Sequence, residues 1–136
     1  LDLLKKGEEE NNKEELARHN GNRELAMAYL QNAKYEDALA FALKDLALRP
    51  ENIDANELAA WIYYMKNDAP KAKQHIDKAL ITQVKNAGTL YKAHLIYTAN
   101  GDLPKAAEYK TQALAINTNI DEQLLNATVK TQMASN

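Results

Sequence analysis

Histidine, serine and carboxylate side chains are the groups here that could act as catalysts or metal ligands, and their spacing matches no catalytic pattern. No two of the histidines, His19, His75 and His94, lie four residues apart around a glutamate, as in zinc-dependent proteases. The single serine, Ser135, lies outside any Gly-x-Ser-x-Gly turn. Each histidine is therefore expected to be neutral and hydrogen-bonded, although a metal site assembled from distant parts of the chain stays an open alternative. We expect no catalysis, no metal and no cofactor.

Composition excludes further classes of function. The 17 basic and 19 acidic residues are interspersed and give a net charge of −2, whereas a nucleic-acid binder usually carries a basic excess on one face. No apolar run approaches the roughly 20 residues that a membrane span needs. No cysteine is present, and the lone glycines Gly88 and Gly101 form no phosphate-binding loop. The chain is rich in good helix formers and contains only 4 Gly and 3 Pro, which predicts an all-α protein.

The sequence repeats itself with a period of 34 residues. Three segments that begin at Asn22, Asn56 and Leu90 align without a gap. The alignment superimposes one tyrosine, one alanine and one leucine from each segment: Tyr29, Tyr63 and Tyr97; Ala38, Ala72 and Ala106; Leu46, Leu80 and Leu114. Turn-forming residues separate apolar helical stripes, for example at Asn67–Pro70 and Asn100–Pro104. Such a period predicts paired helices that stack into an array.

This pattern resembles the tetratricopeptide repeat family, which has the same period and the same tyrosine and alanine positions. The resemblance covers residues 19 to 120 in three divergent repeats, at 19–52, 53–86 and 87–120. Asn22, Asn56 and Leu90 replace the usual aromatic residue at the fourth position, and His94 and Asp45 stand where small residues are expected. Asp45 should therefore either turn toward solvent, beside Arg23 or Lys44, or mark the N-terminal hairpin as the least stable.

The resemblance implies a right-handed superhelical α-solenoid of antiparallel helix hairpins. We expect a single domain at 19–136 that ends in a capping helix at 121–134, preceded by a charged helical or linker segment at 1–18. The six hairpin helices are predicted at 22–32, 35–48, 54–66, 70–82, 87–99 and 103–116.

In the tetratricopeptide repeat family, the exposed face of each first helix lines a concave groove that binds peptides. On that face this chain carries its only tryptophan together with tyrosines and methionines, the residue types enriched at interfaces. The alternatives are that Trp61 belongs to the core between repeats, or that the face is a dimer contact. The predicted groove comprises Arg23, Met27, Leu30, Asp54, Glu57, Trp61, Tyr64, Met65, Tyr91 and Leu95.

The function expected from these residues is protein–protein interaction, with a peptide or partner-protein segment in the groove and Arg23, Asp54 and Glu57 setting its orientation. The alternative is a structural or assembly segment of a larger repeat protein, which could self-associate as a homo-oligomer. The sequence identifies neither the partner nor the compartment. Its Asn- and Lys-rich usage favours a bacterial source of low GC content.

Overall fold

The computed structural model describes residues 21–81 and 86–125, and this part of the chain consists of helices joined by turns, without strands. The prediction of an all-α protein is therefore confirmed. Seven helices occur within the described residues: α1 at 21–31, α2 at Tyr35–Leu48, α3 at Ile53–Met65, α4 at Ala69–Ala79, α5 at Ala87–Ala99, α6 at Leu103–Ile116 and α7 at 120–125.

These bounds agree with the predicted helices to within about one residue at every end but one. The exception is α4, which was predicted to extend to residue 82 and ends at Ala79 with Leu80 as its C-cap. The N-terminal segment 1–18 and the part of the predicted capping helix beyond residue 125 lie outside the described residues.

Each helix packs against the next one along the chain. The closest pairs are α3 with α4 and α5 with α6, while α2 also contacts α3 and α4 also contacts α5. Helix α3 in addition touches α5, which places the first helices of neighbouring hairpins side by side. Helix α1 joins through a buried cluster that combines Ala26, Ala38 and Ala42 with Ile62 of α3.

The turns inside the hairpins repeat the same backbone geometry every 34 residues. Ala33, Asn67 and Gly101 all adopt positive φ, at 57°, 65° and 83°. At each turn the following N–H, from Lys34, Asp68 or Asp102, donates to the carbonyl of the repeated tyrosine at 2.8–3.0 Å. A residue in the left-handed conformation just after a helix ends that helix, because the following N–H can then turn back and bond to one of the last helix carbonyls. The sequence period is thus also a period of backbone conformation.

Side-chain N-caps at the helix starts recur with the same period, except that α2 has none. Asn52 and Asn86 cap α3 and α5, and Asp68 and Asp102 cap α4 and α6, in each case by accepting a backbone N–H three residues on. Lys34, which precedes α2, provides no such side-chain bond. Helix α2 therefore lacks the capping interaction that stabilises its two counterparts.

Alanines allow the helices to approach closely. Ala26 and Ala60 on the first helices, and Ala38, Ala72 and Ala106 on the second, are 0–2% exposed. His94 stands at the equivalent position of α5 and is only partly buried, and its Nδ1 lies 3.0 Å from the carbonyl oxygen of Ala106. This hydrogen bond allows the imidazole to occupy a position that alanine fills in the other first helices. His94 is thus hydrogen-bonded, as the sequence predicted.

The prediction that Asp45 turns toward solvent was wrong. Asp45 is 0% exposed, and its ion pair is with Arg49, one turn later on the same helix, at 3.3 Å. Neither Arg23 nor Lys44 is that cation. Because Arg49 reaches back along the helix, the carboxylate can occupy a packing position that Ala79 and Ala113 fill in the other hairpins.

Candidate functional site

The predicted groove residues lie together in two adjoining depressions on one side of the helix array. The first depression, about 290 Å³, lies between α1 and α3 and reaches α7. Seven of the ten predicted residues line it: Arg23, Met27, Leu30, Asp54, Glu57, Trp61 and Met65.

The second depression, about 350 Å³, lies between α3, α5 and α7. It contains the remaining predicted residues, Tyr64, Tyr91 and Leu95, and again Trp61. Trp61 and Leu124 line both depressions, so the two form one continuous surface, hereafter the groove. Sequence reasoning placed all ten side chains on one face because their spacing keeps them in phase on successive first helices.

Trp61 lies at the centre of the groove and is only partly buried. Its ring stacks on that of Tyr64, with centroids 5.1 Å apart and planes 17° from parallel. The ammonium group of Lys92, on α5, lies 5.3 Å from the ring centroid. Trp61 thus contacts the first helix of the next hairpin, yet it belongs to none of the buried clusters of the described residues. One aromatic side chain and one cation hold the indole in place at an open surface.

The charged side chains of the first depression are paired. Arg23 and Asp54 approach to 3.8 Å, in agreement with the expected polar edge. Glu57 instead bonds to α5, with Lys92 at 3.6 Å and the hydroxyl of Thr89 donating to it at 2.8 Å. Glu57 therefore joins two neighbouring hairpins and holds the cation that contacts Trp61.

The second depression has a different electrostatic character. Its charged lining residues are Asp121 and Glu122, both from α7, beside the rings of Tyr64 and Tyr91. Burial raises the pKa of Tyr91, and the charge of Asp121 and the neighbouring Tyr64 raise it further. Asp121 and Tyr91 line the same depression.

Several lining residues were not predicted: Leu58, Lys92, Asp121, Glu122, Leu124 and Leu125. Leu124 lies on the helix predicted to cap the last hairpin, and it does pack against that hairpin's buried cluster while also lining both depressions. Ile120 does pack there, against Ala87, Leu90 and Ala113. One turn later the helix presents Leu124 to the groove, and the four-residue spacing is the signal that connects these two roles.

The described histidines lie outside the groove. Asn56 donates both amide hydrogens to the carbonyls of Pro50 and Asn52, so its Oδ1 is the acceptor for the Nδ1–H of His75 at 3.2 Å. The ring of His75 also stacks on Tyr63. Within residues 21–81 and 86–125, no three His, Asp or Glu side chains gather as metal ligands would.

No helix in the described part of the chain is long and apolar enough to cross a bilayer. Neither the protein-family models nor the curated proteins contain a match to this sequence. The groove's own geometry therefore carries the functional argument.

Proposed function

We propose that this chain is a tetratricopeptide-like solenoid that binds a segment of another protein in its groove. The single observation that carries the proposal is that ten residues chosen from the sequence line one continuous surface around a partly exposed tryptophan. The 34-residue recurrence of turns and caps supports the solenoid, and a right-handed superhelix is the form that this family adopts.

The surface has the chemistry of a protein interface. Trp, Tyr, Met and Leu side chains form its floor, and paired charges form one edge. Large aromatic side chains in partly desolvated surroundings are the usual energetic centres of interfaces, because they bury much area with few rotatable bonds. Since the edge charges already have partners, an incoming segment can meet the apolar floor without leaving those charges unpaired.

Substitution of Trp61 tests this function. The stacking on Tyr64 and the contact with Lys92 together contribute about 1–2.5 kcal/mol, which is well below the usual stability of a domain, about 5–15 kcal/mol. Trp61→Ala should therefore retain its far-UV helical signal while losing partner capture from a lysate of the source cells.

The matched control is Ile116→Ala, because Ile116 is 50% exposed on α6 and lines neither depression. It should capture the same partner as the unsubstituted protein. Equal capture by Trp61→Ala, or its loss of helical signal, would count against the groove as the binding surface.

A further inference from the structure

The groove's two depressions differ in charge balance. In the first, Arg23 faces Asp54 and Lys92 faces Glu57, so both acidic side chains have a basic partner. In the second, the charged lining residues within the described part of the chain are both acidic, Asp121 and Glu122. Asp121 and Glu122 thus have no basic residue beside them among the described residues that line the second depression, whereas Asp54 and Glu57 are each paired with a basic residue in the first.

The contacts of these two carboxylates leave them able to bind an added cation. Asp121 accepts the backbone N–H of Glu122 at 2.9 Å, and Glu122 is exposed. Among the described residues, no Lys, Arg or His forms an ion pair with either one. A carboxylate offers several acceptor positions, so one backbone bond leaves most of that capacity unused.

Aromatic rings complete the lining. Trp61, Tyr64 and Tyr91 surround the depression, and the faces of such rings attract cations. The indole of Trp61 already has a cation near it, since Lys92 lies 5.3 Å from its centroid. Rings with adjacent carboxylates favour a basic side chain, because the ring faces contact its flat or aliphatic part and the carboxylates accept its N–H groups.

We propose that the second depression binds an arginine or lysine side chain of the protein segment that the groove accepts. This rests on the proposed function and specifies the partner's chemistry. Arginine is the better fit, because its planar guanidinium can stack on a ring and donate two parallel hydrogen bonds to one carboxylate. An acidic side chain is excluded from the depression by repulsion from Asp121 and Glu122.

Binding to the second depression can be followed by intrinsic fluorescence, because Trp61 is the only tryptophan of the chain and lines this depression. The experiment titrates the full chain with blocked Ala/Ser peptides that differ only at one central residue: arginine, lysine, citrulline or glutamate. Citrulline preserves the shape of arginine and removes its charge. The arginine and lysine peptides should shift Trp61 emission, the citrulline peptide should bind about tenfold more weakly, and the glutamate peptide should have no effect.

A charge-neutralising variant identifies the groups responsible. Asp121→Asn/Glu122→Gln should reduce the affinity for the arginine peptide to that for citrulline. Asp37→Asn/Glu108→Gln changes net charge equally at exposed positions outside both depressions and should preserve the preference. Because Asp121 bonds to the backbone at the start of α7, the single variant Glu122→Gln, at an exposed position, provides a second test that does not depend on that bond.

Equal affinities for the arginine and citrulline peptides would overturn the inference, and so would the absence of any arginine-dependent change in Trp61 emission. Either result leaves the proposed function to be judged by capture of the partner. If Trp61→Ala abolishes capture while arginine and citrulline peptides bind alike, the groove binds its partner without a basic anchor. If Trp61→Ala captures normally, the proposed function itself fails.

Discussion

Asn56 occupies a position where the family resemblance favours an aromatic residue, and its side chain is completely buried at the junction of two hairpins. Its amide group donates to the carbonyls of Pro50 and Asn52, at 3.0 and 2.9 Å, and accepts from His75 at 3.2 Å. We predict that Asn56→Ala destabilises the fold through the loss of these bonds.

The magnitude follows from these three bonds. Each of the two N–H bonds contributes about 1 kcal/mol net, and a buried carbonyl left without a donor costs about 1–3 kcal/mol more. The carbonyl of Asn52 keeps a second donor, the backbone N–H of Asn56 at 3.1 Å, and Pro50 is exposed, so water can bond to its carbonyl and this penalty is largely avoided. Partly buried His75 can likewise bond to water. The expected loss is about 2 kcal/mol, from the two N–H bonds.

Urea unfolding monitored by circular dichroism measures this loss. Asn32→Ala is the matched control, because Asn32 also donates to a backbone carbonyl, Ala28 at 2.9 Å, but is exposed; it should cost less than about 0.5 kcal/mol. A double-mutant cycle with His75→Ala should give a coupling of about 1 kcal/mol. A loss below about 1 kcal/mol for Asn56→Ala would refute the reasoning.

Three further outcomes follow from the structure. Burial, and the nearby charge of Lys78, lower the pKa of His75 below its ordinary 6.5, so its stabilising contribution is complete above that pH and is lost as pH falls; His75→Gln should flatten urea midpoints measured between pH 7 and 5. Ala33→Gly should raise the free energy of unfolding by about 0.5–1 kcal/mol and so raise the melting temperature, whereas Gly101→Ala should lower both, because both positions have positive φ. Melting temperatures that change in the same direction for the two variants would contradict this. Amide exchange should be fastest in residues 22–48, where α2 lacks a cap, and slowest in the described amides of 54–82, whose hairpin has neighbours on both sides; uniform exchange would disprove it.

The helix array could be predicted because its determinants are local. A 34-residue period, turn residues between apolar stripes and a tyrosine in each first helix determine where helices start, end and meet. The error at the end of α4 has a local explanation as well. Leu80 and Ile81 continue the apolar pattern, but the N–H of Leu80 bonds to the carbonyls of both Ile76 and Asp77, as at a helix C-terminus.

The groove was predictable only where the period applies. Met27, Trp61 and Leu95 share one phase of successive first helices, so their common face could be read from spacing. The contribution of α7 could not, because this helix follows the last repeat and nothing in the period sets its direction. Its carboxylates, Asp121 and Glu122, give the second depression its charge.

The partners of the buried polar side chains were also not predicted. Asp45 was expected to reach Arg23 or Lys44, whereas Arg49 lies one turn later and pairs with it. The i,i+4 spacing was visible in the sequence and was the better guide, because it requires no knowledge of how helices pack. The hydrogen bond that Asn56 accepts from His75, 19 residues away, depends on that packing and had no comparable signal in the sequence.

The central claim is that the groove, rather than the outer face of the array, binds the partner. The most direct measurement is residue-resolved amide NMR of the full chain, titrated with a partner segment captured by the unsubstituted protein. We predict that the largest shift changes fall on α3, α5 and α7 around Trp61, and that they disappear in Trp61→Ala. Changes confined to the exposed faces of α2, α4 and α6 would contradict the account.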